Sequence, residues 1–352
     1  VQDYLIAHGQ VREEDAGRMI ALMGDAELDE GNIYECLIEG YKHDLRNCWW
    51  IVDYNRQSLD ATTADRMFRR FDDIFETCGW RVITLKYGKL QREVFKRPGG
   101  KTIEEWIDNC PNAEFAALTY QGGAAWRERL IADIGGKPHV KKLLESFDDE
   151  ALATLMTNLG GHCVETLVDA FDSANDERPT LFIAYTVKGY GLPLAGHKDN
   201  HSGMMNPPQM EQFRTSLGIR EGEEWEPWGG LGDNAATQLR AFVEASPIAR
   251  KLKEPTAEAV HVPLWLPVPD GAEQSTQAAF GRVLLDLAKS GEPLADRIVT
   301  TAPDVTQTTN LGAFVNQRGL FRRQELADVF HKAKIPSAQK WSQHAAGQHI
   351  EL

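Results

Sequence analysis

Short runs of apolar, β-branched and aromatic residues alternate with helical patterns along the first half of the chain, and this alternation constrains the fold most. The runs at 18–23, 48–53 ("CWWIVD"), Arg81–Leu85 ("RVITL") and 180–187 ("TLFIAYTV") predict four strands. Helical patterns lie between them, for example at 33–43 and 68–78. Strands that alternate with helices are typical of a parallel sheet covered on both faces. We therefore predict an α/β fold with a doubly wound parallel sheet, whose first strand is buried.

The composition changes after residue 218. Segment 219–270 is rich in Pro, Gly and acidic residues around one helical stretch at 235–245, and it indicates an interdomain connection. A helix at 275–289 and a strand at 297–301 follow. We predict a first α/β domain over 1–218, a linker region over 219–270, and the start of a second, similar α/β domain over 271–352.

Charge and cysteine usage exclude several function classes. The 352 residues carry a net charge of −14, which argues against a nucleic-acid binder because backbone recognition needs clustered Lys and Arg. No apolar run approaches the roughly 20 residues that a membrane span needs. The five cysteines are scattered and form no CxxC pair, which favours reduced thiols in the cytoplasm.

Polar residues follow the predicted strands at the edge where ligands bind in open α/β sheets. The first strand runs into the acidic stretch "MGDAELDEGNIYE", which contains Gly24, Asp25, Ala26 and Glu27, and the second strand is followed by Asn55. If these strands are neighbours, Asp25 and Asn55 face one crevice and offer the oxygen ligands that Mg²⁺ prefers.

The same turn could hold a phosphate group. Its backbone N–H groups precede a predicted helix and could meet a phosphate oxygen, and Lys188, after the fourth strand, could add a cation. Asp29 and Glu30 are expected in the first turn of that helix. A plain turn followed by a helix cap is the alternative reading, and spacing alone leaves both open.

Several motifs resemble one family. Gly-Asp-Ala, followed by Asn about thirty residues later, resembles the thiamine-diphosphate motif usually written GDG…N. The surrounding segments resemble the homodimeric pyruvate dehydrogenase decarboxylating (E1) component and its transketolase-like relatives: "ALMGDAELDEGNIYE", "WWIVDYNRQSLD", "VITLKYGK", "TNLGGH", "AYTVKGYGLPLAGHKDNHSG" and "RIVTTAPDVT". The resemblance covers nearly the whole chain and implies the thiamine-diphosphate-binding fold, with 1–218 as pyrophosphate-binding domain and 271–352 as pyrimidine-binding domain.

The resemblance also implies site residues. Asp25, the Asn55 side chain and the Gln57 backbone carbonyl would bind Mg²⁺. The diphosphate would be lined by Gly24, Ala26 and Glu27, with Leu59 packed on the cofactor and Lys188 at the phosphate end. Ala26 replaces the family's Gly, which is tolerated if the backbone there does not need a positive φ.

Histidines and one further acid complete the implied site. His201 matches a family loop histidine that orders the active site and assists acyl transfer, while His197 in the same loop is expected to be exposed and inert. Asp304 matches an acid lining the catalytic cavity, although a Pro-Asp turn explains it equally well. His162 reads as a helix cap without a role.

The implied activity is oxidative decarboxylation of a 2-oxo acid, pyruvate or a close homologue, with acyl transfer to the lipoyl domain of a dihydrolipoyl acyltransferase. A homodimer is implied, without nucleic acid or membrane partners. The family's substrate histidines and its cofactor-activating glutamate have no match here, so the sequence is expected to be a fragment. Transketolase-type ketol transfer, and a truncated module that binds cofactor without turnover, are the alternatives.

Overall fold

A four-stranded parallel sheet forms the centre of the larger of two units in the computed structural model. The structure describes residues 1–57, 67–246, 249, 258–271 and 273–351. The larger unit is Arg18–Lys251, and the smaller unit combines Val1–Gly17 with Leu252–Leu352. The division predicted from the sequence, at 218 and 270, stays a prediction.

The α-helices of the described residues are α1 Gln2–Ala7, α2 Gly31–Lys42, α3 Phe68–Thr77, α4 Lys89–Phe95, α5 Gly100–Asn109, α6 Asn112–Gln121, α7 Gly123–Ile134, α8 Val140–Glu145, α9 Asp149–Met156, α10 Val164–Ser173, α11 Pro207–Ser216, α12 Asp233–Ala245, α13 Thr276–Ser290, α14 Gly312–Arg318 and α15 Val329–Lys332. The strands are β1 Met19–Gly24, β2 Cys48–Tyr54, β3 Arg81–Leu85, β4 Thr180–Tyr185, β5 Thr300–Ala302, β6 Leu320–Phe321, β7 Gln343–His344 and β8 His349–Glu351. Short 3₁₀ helices lie after β1 (Asp25–Asp29), before α10 (Gly160–His162) and in the loop after β4 (Lys198–His201).

The strand order of the larger unit is β1-β2-β4-β3, with every pair parallel. The register pairs Gly24 with Asp53 and Tyr54 with Tyr185. Parallel pairing puts all carboxyl ends at one edge of the sheet, so the loops after β1, β2 and β4 are consecutive neighbours there. β4 is buried along its whole length, as expected for a central strand of a parallel sheet.

Side chains that alternate along β2 show that both faces of this sheet are covered. Trp50 packs against Trp80 and Phe75, with ring centres 5.0 and 5.7 Å apart, on the face that holds the main core. Trp49 points to the opposite face, where its ring centre lies 5.3 Å from that of Phe171 in a second core. The predicted doubly wound α/β sheet is confirmed.

The smaller unit has its own parallel sheet, in the order β5-β8-β6-β7. Its core consists of apolar side chains of α13, α14 and the strands, centred on Leu284, Phe314 and Val315. The predicted second α/β unit is therefore present, with strand β5 where the "RIVTT" run ends.

Two local predictions at the first strand are wrong. Ile20 and Leu22 are 57% and 75% exposed rather than buried, because β1 pairs only with β2 and forms the edge of the described sheet. Asp29 and Glu30 do not lie in the first turn of α2, which begins at Gly31; the acidic stretch instead forms the 3₁₀ helix. Among the described residues, no helix has the length and apolar character that crossing a membrane requires.

Candidate functional site

Asp25 joins the end of β1 to the loop after β2. Its side chain is only 3% exposed, and its Oδ2 accepts a hydrogen bond from the backbone N–H of Arg56 at 2.7 Å. Because that nitrogen is bonded to the carbonyl carbon of Asn55, the Asp25 carboxylate lies within about 4 Å of the Asn55 backbone. The two strands are neighbours, as the argument from the sequence required.

The electrostatic surroundings of Asp25 are unfavourable for a negative charge. The pKa of Asp25 is raised from 3.8 to about 6: burial is the largest cause, the hydrogen bond from the Arg56 N–H acts in the opposite direction, and the nearby Asp53 adds to the rise. A buried carboxylate of this kind is stabilised by a neighbouring cation. The chemistry of the position therefore fits a metal ligand.

The other predicted metal ligands lie in the same loop after β2. The Asn55 side-chain oxygen accepts a hydrogen bond from the Gln57 N–H at 3.0 Å, which folds the loop into a local turn. Gln57 is 7% exposed and donates from Nε2 to the Gly196 carbonyl at 3.1 Å, so it ties this loop to the one after β4. The described residues contain no cluster of three or more His, Cys, Asp or Glu side chains suited to a metal, so a cation here would need amide and carbonyl oxygens besides Asp25.

The predicted diphosphate residues start the 3₁₀ helix after β1. Gly24 precedes it, and its N–H is bonded to the exposed Glu27 carboxylate at 3.2 Å. Ala26 lies within the helix and is absent from the described residues with positive φ. The replacement of Gly by Ala therefore causes no backbone strain at this position.

The loop after β4 carries Lys188 and two of the histidines. Lys188 is half-buried, and its carbonyl accepts hydrogen bonds from the Gly196 N–H and the Asn200 side chain, which close the loop. His201 is exposed at the end of the 3₁₀ helix Lys198–His201. The prediction of an exposed His197 is wrong: it is half-buried, and its Nδ1 caps that helix by accepting from the Asp199 N–H at 3.1 Å.

Two predicted residues lie apart from these loops. Asp304 belongs to the smaller unit, where it follows β5 in an exposed position with φ +58°. Leu59 lies outside the described residues.

Sequence reasoning missed a structural role for His162. Its Nε2 accepts the Val187 N–H at 2.8 Å, so the neutral ring carries its proton on Nδ1, and the ring stacks on Tyr190 at 3.8 Å. Burial lowers the pKa of His162, which favours this neutral, hydrogen-bond-accepting form. The "LGGH" motif thus fixes the backbone at the start of the loop after β4. The signal available in the sequence was the Gly pair, which lets this turn pack against β3 and β4.

Comparison with known proteins adds a relationship by sequence, although no family model matches the chain. The chain is 25% identical over 343 residues to the pyruvate dehydrogenase E1 component of Cupriavidus necator. The matched region covers 91% of this chain and 37% of that protein. It is 26% identical over 323 residues to the protein of the same name from Corynebacterium glutamicum, covering 84% and 34%. The resemblance to the pyruvate dehydrogenase E1 component is confirmed.

The similarity to pyruvate dehydrogenase E1 components covers only part of the length of those proteins. The chain spans about a third of these two curated relatives and 23% of the Escherichia coli pyruvate dehydrogenase E1 component, at 24% identity. Among solved structures, a transketolase from Campylobacter jejuni is 13% identical with a TM-score of 0.46, covering 99% of this chain and 41% of that chain.

Proposed function

We propose that the larger unit binds thiamine diphosphate through Mg²⁺ at the adjoining ends of β1 and β2. The observation that carries the proposal is the buried Asp25 carboxylate, held against the Arg56 N–H one residue beyond Asn55. The similarity to pyruvate dehydrogenase E1 components supports it. The ligands would be the Asp25 carboxylate, the Asn55 amide oxygen and the Gln57 carbonyl, a set suited to a hard cation.

The diphosphate would lie at the start of the 3₁₀ helix, near the N–H groups of Gly24, Ala26 and Glu27. The Glu27 carboxylate now accepts the Gly24 N–H, so an incoming phosphate oxygen would replace it as the acceptor. Lys188, in the loop after β4, would compensate part of the phosphate charge. Leu59 would pack on the cofactor.

The bound cofactor would supply the electron sink for decarboxylation of a 2-oxo acid, pyruvate or a close homologue. In this scheme the exposed His201 would transfer a proton near the substrate, and Asp304 would be the further acid that the resemblance implies. The acyl group would pass to the lipoyl domain of a dihydrolipoyl acyltransferase. The proposal includes a homodimer acting in the cytoplasm.

Calorimetry with thiamine diphosphate and Mg²⁺ tests the binding site directly. Asp25→Asn keeps the size of the side chain and removes its charge, so we expect affinity to fall by at least about tenfold, or about 1.4 kcal/mol. Asp29→Asn is the matched control, because Asp29 is exposed at the end of the same 3₁₀ helix. Equal affinity in both variants would contradict the metal assignment.

Activity is tested by release of labelled CO₂ from carboxyl-labelled pyruvate and 2-oxobutyrate. His201→Gln should slow the release while leaving cofactor affinity unchanged, because His201 is assigned to proton transfer and not to cofactor binding. Ketol exchange between sugar phosphates without CO₂ release would favour the transketolase alternative. Cofactor binding without either activity would favour a binding module.

A further inference from the structure

A separate cavity of about 290 Å³ lies beside the carboxyl ends of β2, β3 and β4. Its described walls do not include Asp25, Asn55 or Lys188, so it is not the proposed metal and diphosphate site. Its volume is close to the lower limit of small-molecule pockets, which begin near about 300 Å³. Space for one small ligand is therefore present.

Arg56 connects this cavity to the proposed cofactor site. Its backbone has φ +66°, in the left-handed region, and its N–H is bonded to Asp25. Its guanidinium lines the cavity, where Nη2 donates to the Thr186 carbonyl at 3.3 Å and Cζ lies 4.4 Å from the centre of the Phe115 ring. The backbone of Arg56 thus contacts the proposed cofactor site, while its side chain lines the cavity.

The guanidinium of Arg56 is incompletely satisfied. Its Nε is buried and has no hydrogen-bond partner among the described residues, and none of their carboxylates forms an ion pair with it. A guanidinium carries a positive charge in proteins. The Asp25 carboxylate attracts this charge without forming an ion pair with it, and a bound anion in direct contact would stabilise the buried cation further.

The second cation of the cavity is already neutralised. Lys86 Nζ pairs with the Asp108 carboxylate at 2.5 Å, and the Tyr87 hydroxyl donates to the same carboxylate. Lys86 and Asp108 both line the cavity and their charges cancel, which leaves the charge of Arg56 uncompensated among the described lining residues. One negative charge would balance it.

The remaining walls indicate what the anion is attached to. Phe115 lies under the guanidinium, and the aromatic rings of Tyr54 and Tyr185 line the same space, with the Tyr185 ring centre 5.7 Å from Arg56 Cζ. Aromatic walls bind an apolar or aromatic body, and the guanidinium fork matches a carboxylate. We propose that this cavity binds a small carboxylic acid with an apolar body, through the Arg56 guanidinium.

Benzoate is a suitable probe because it combines one carboxylate with one ring. Calorimetric titration of the ligand-free chain should give saturable binding of one benzoate. Arg56→Met should weaken it by roughly 10- to 100-fold, as expected when a charge-assisted hydrogen bond is lost. Arg92→Met, which removes an exposed Arg of α4 outside the cavity, is the matched control and should leave the affinity unchanged.

A second variant and a competition experiment keep the test decisive. Arg56→Lys keeps the charge and loses the fork, so its affinity should fall between those of the wild type and Arg56→Met; thermal unfolding checks that each variant is folded. Absence of benzoate binding to the wild-type chain, or equal binding to all Arg56 variants, would overturn the proposal. Displacement of benzoate by thiamine diphosphate would also overturn the proposed carboxylate cavity, but it would not contradict the proposed cofactor site. Benzoate binding without cofactor binding would support the carboxylate cavity and contradict the proposed cofactor site.

Discussion

Asp25→Asn should stabilise the ligand-free chain and remove its response to cofactor and metal. Burial raises the pKa of Asp25 from 3.8 to about 6, so the ionised carboxylate is less stable in the folded state than in the unfolded state. A shift of about two units corresponds to about 3 kcal/mol at about 1.4 kcal/mol per unit. Asn removes this cost and still offers an oxygen to the Arg56 N–H, so we expect a gain of about 1–3 kcal/mol in the free energy of unfolding.

The gain should depend on pH in a defined direction. Because the folded-state pKa of Asp25 lies above its unfolded value, the wild-type chain loses stability as the pH rises from about 4 to about 6, and the loss is constant above that range. Below about pH 4 the carboxyl is protonated in both states, and Asn should have little effect. The difference between variant and wild type should therefore be largest near pH 7.5.

Urea unfolding in EDTA, followed by the fluorescence of the core tryptophans, measures this difference in the larger unit. Asp72→Asn provides a matched comparison, because burial and its acidic neighbours Glu76 and Asp73 also raise the pKa of Asp72 to about 6. Its Oδ1 is buried and has no hydrogen-bond partner within the described part of the chain. Both variants should be more stable than the wild type without ligand. Only Asp72→Asn should keep the rise in melting temperature with thiamine diphosphate and Mg²⁺.

Two results would refute this reasoning. Destabilisation of the ligand-free chain by Asp25→Asn near pH 7.5 would show that the carboxylate makes a net favourable contribution, contrary to its burial. A ligand-induced rise in melting temperature that persists in Asp25→Asn would show that the buried carboxylate is not needed for ligand binding.

Two further predictions concern the turn that supports the β4 loop. His162→Phe keeps the stacking on Tyr190 and leaves the buried Val187 N–H without its acceptor, so urea unfolding should show a loss of about 1–3 kcal/mol, and a neutral effect would contradict the role assigned to His162. Gly160→Ala would place a Cβ 2.3 Å from the Leu85 carbonyl oxygen, so its melting temperature should fall clearly, whereas Gly136→Ala, with open space at that position, should melt close to the wild type.

The elements of the fold were predictable because their signals are local. The "RVITL" run gives β3 with the same bounds, Arg81–Leu85, in sequence and structure. The position of β4 between β2 and β3 could not be read from the sequence, because strand order depends on packing between distant segments. For the same reason the apolar run of β1 predicted a buried strand, although burial depends on neighbours that the run itself does not encode.

The acidic and amide side chains of the candidate site could be predicted from the sequence, but the hydrogen bonds that connect its loops could not. Asp25 and Asn55 follow strands, and parallel pairing is enough to bring their loops together. The partner of Asp25 is a backbone N–H, which every residue other than proline has, so no sequence pattern indicates it. The hydrogen bond from Gln57 to Gly196 also leaves no pattern in the sequence, since it joins positions 139 residues apart.

The burial of Asp25 also bears on the choice between a plain turn and a ligand site. A turn or helix cap uses an acid that is exposed and bonded to the N–H groups that follow it, whereas Asp25 is buried and, besides a hydrogen bond with the Ala26 backbone, reaches a backbone nitrogen 31 residues away. Asn would make the same bond without the cost of burying a charge, so the turn alone does not account for an acid at this position. A cation beside the carboxylate would offset that cost, because it lowers the pKa that burial has raised. The acidic identity of residue 25 thus supports the metal-assisted binding of a diphosphate proposed above.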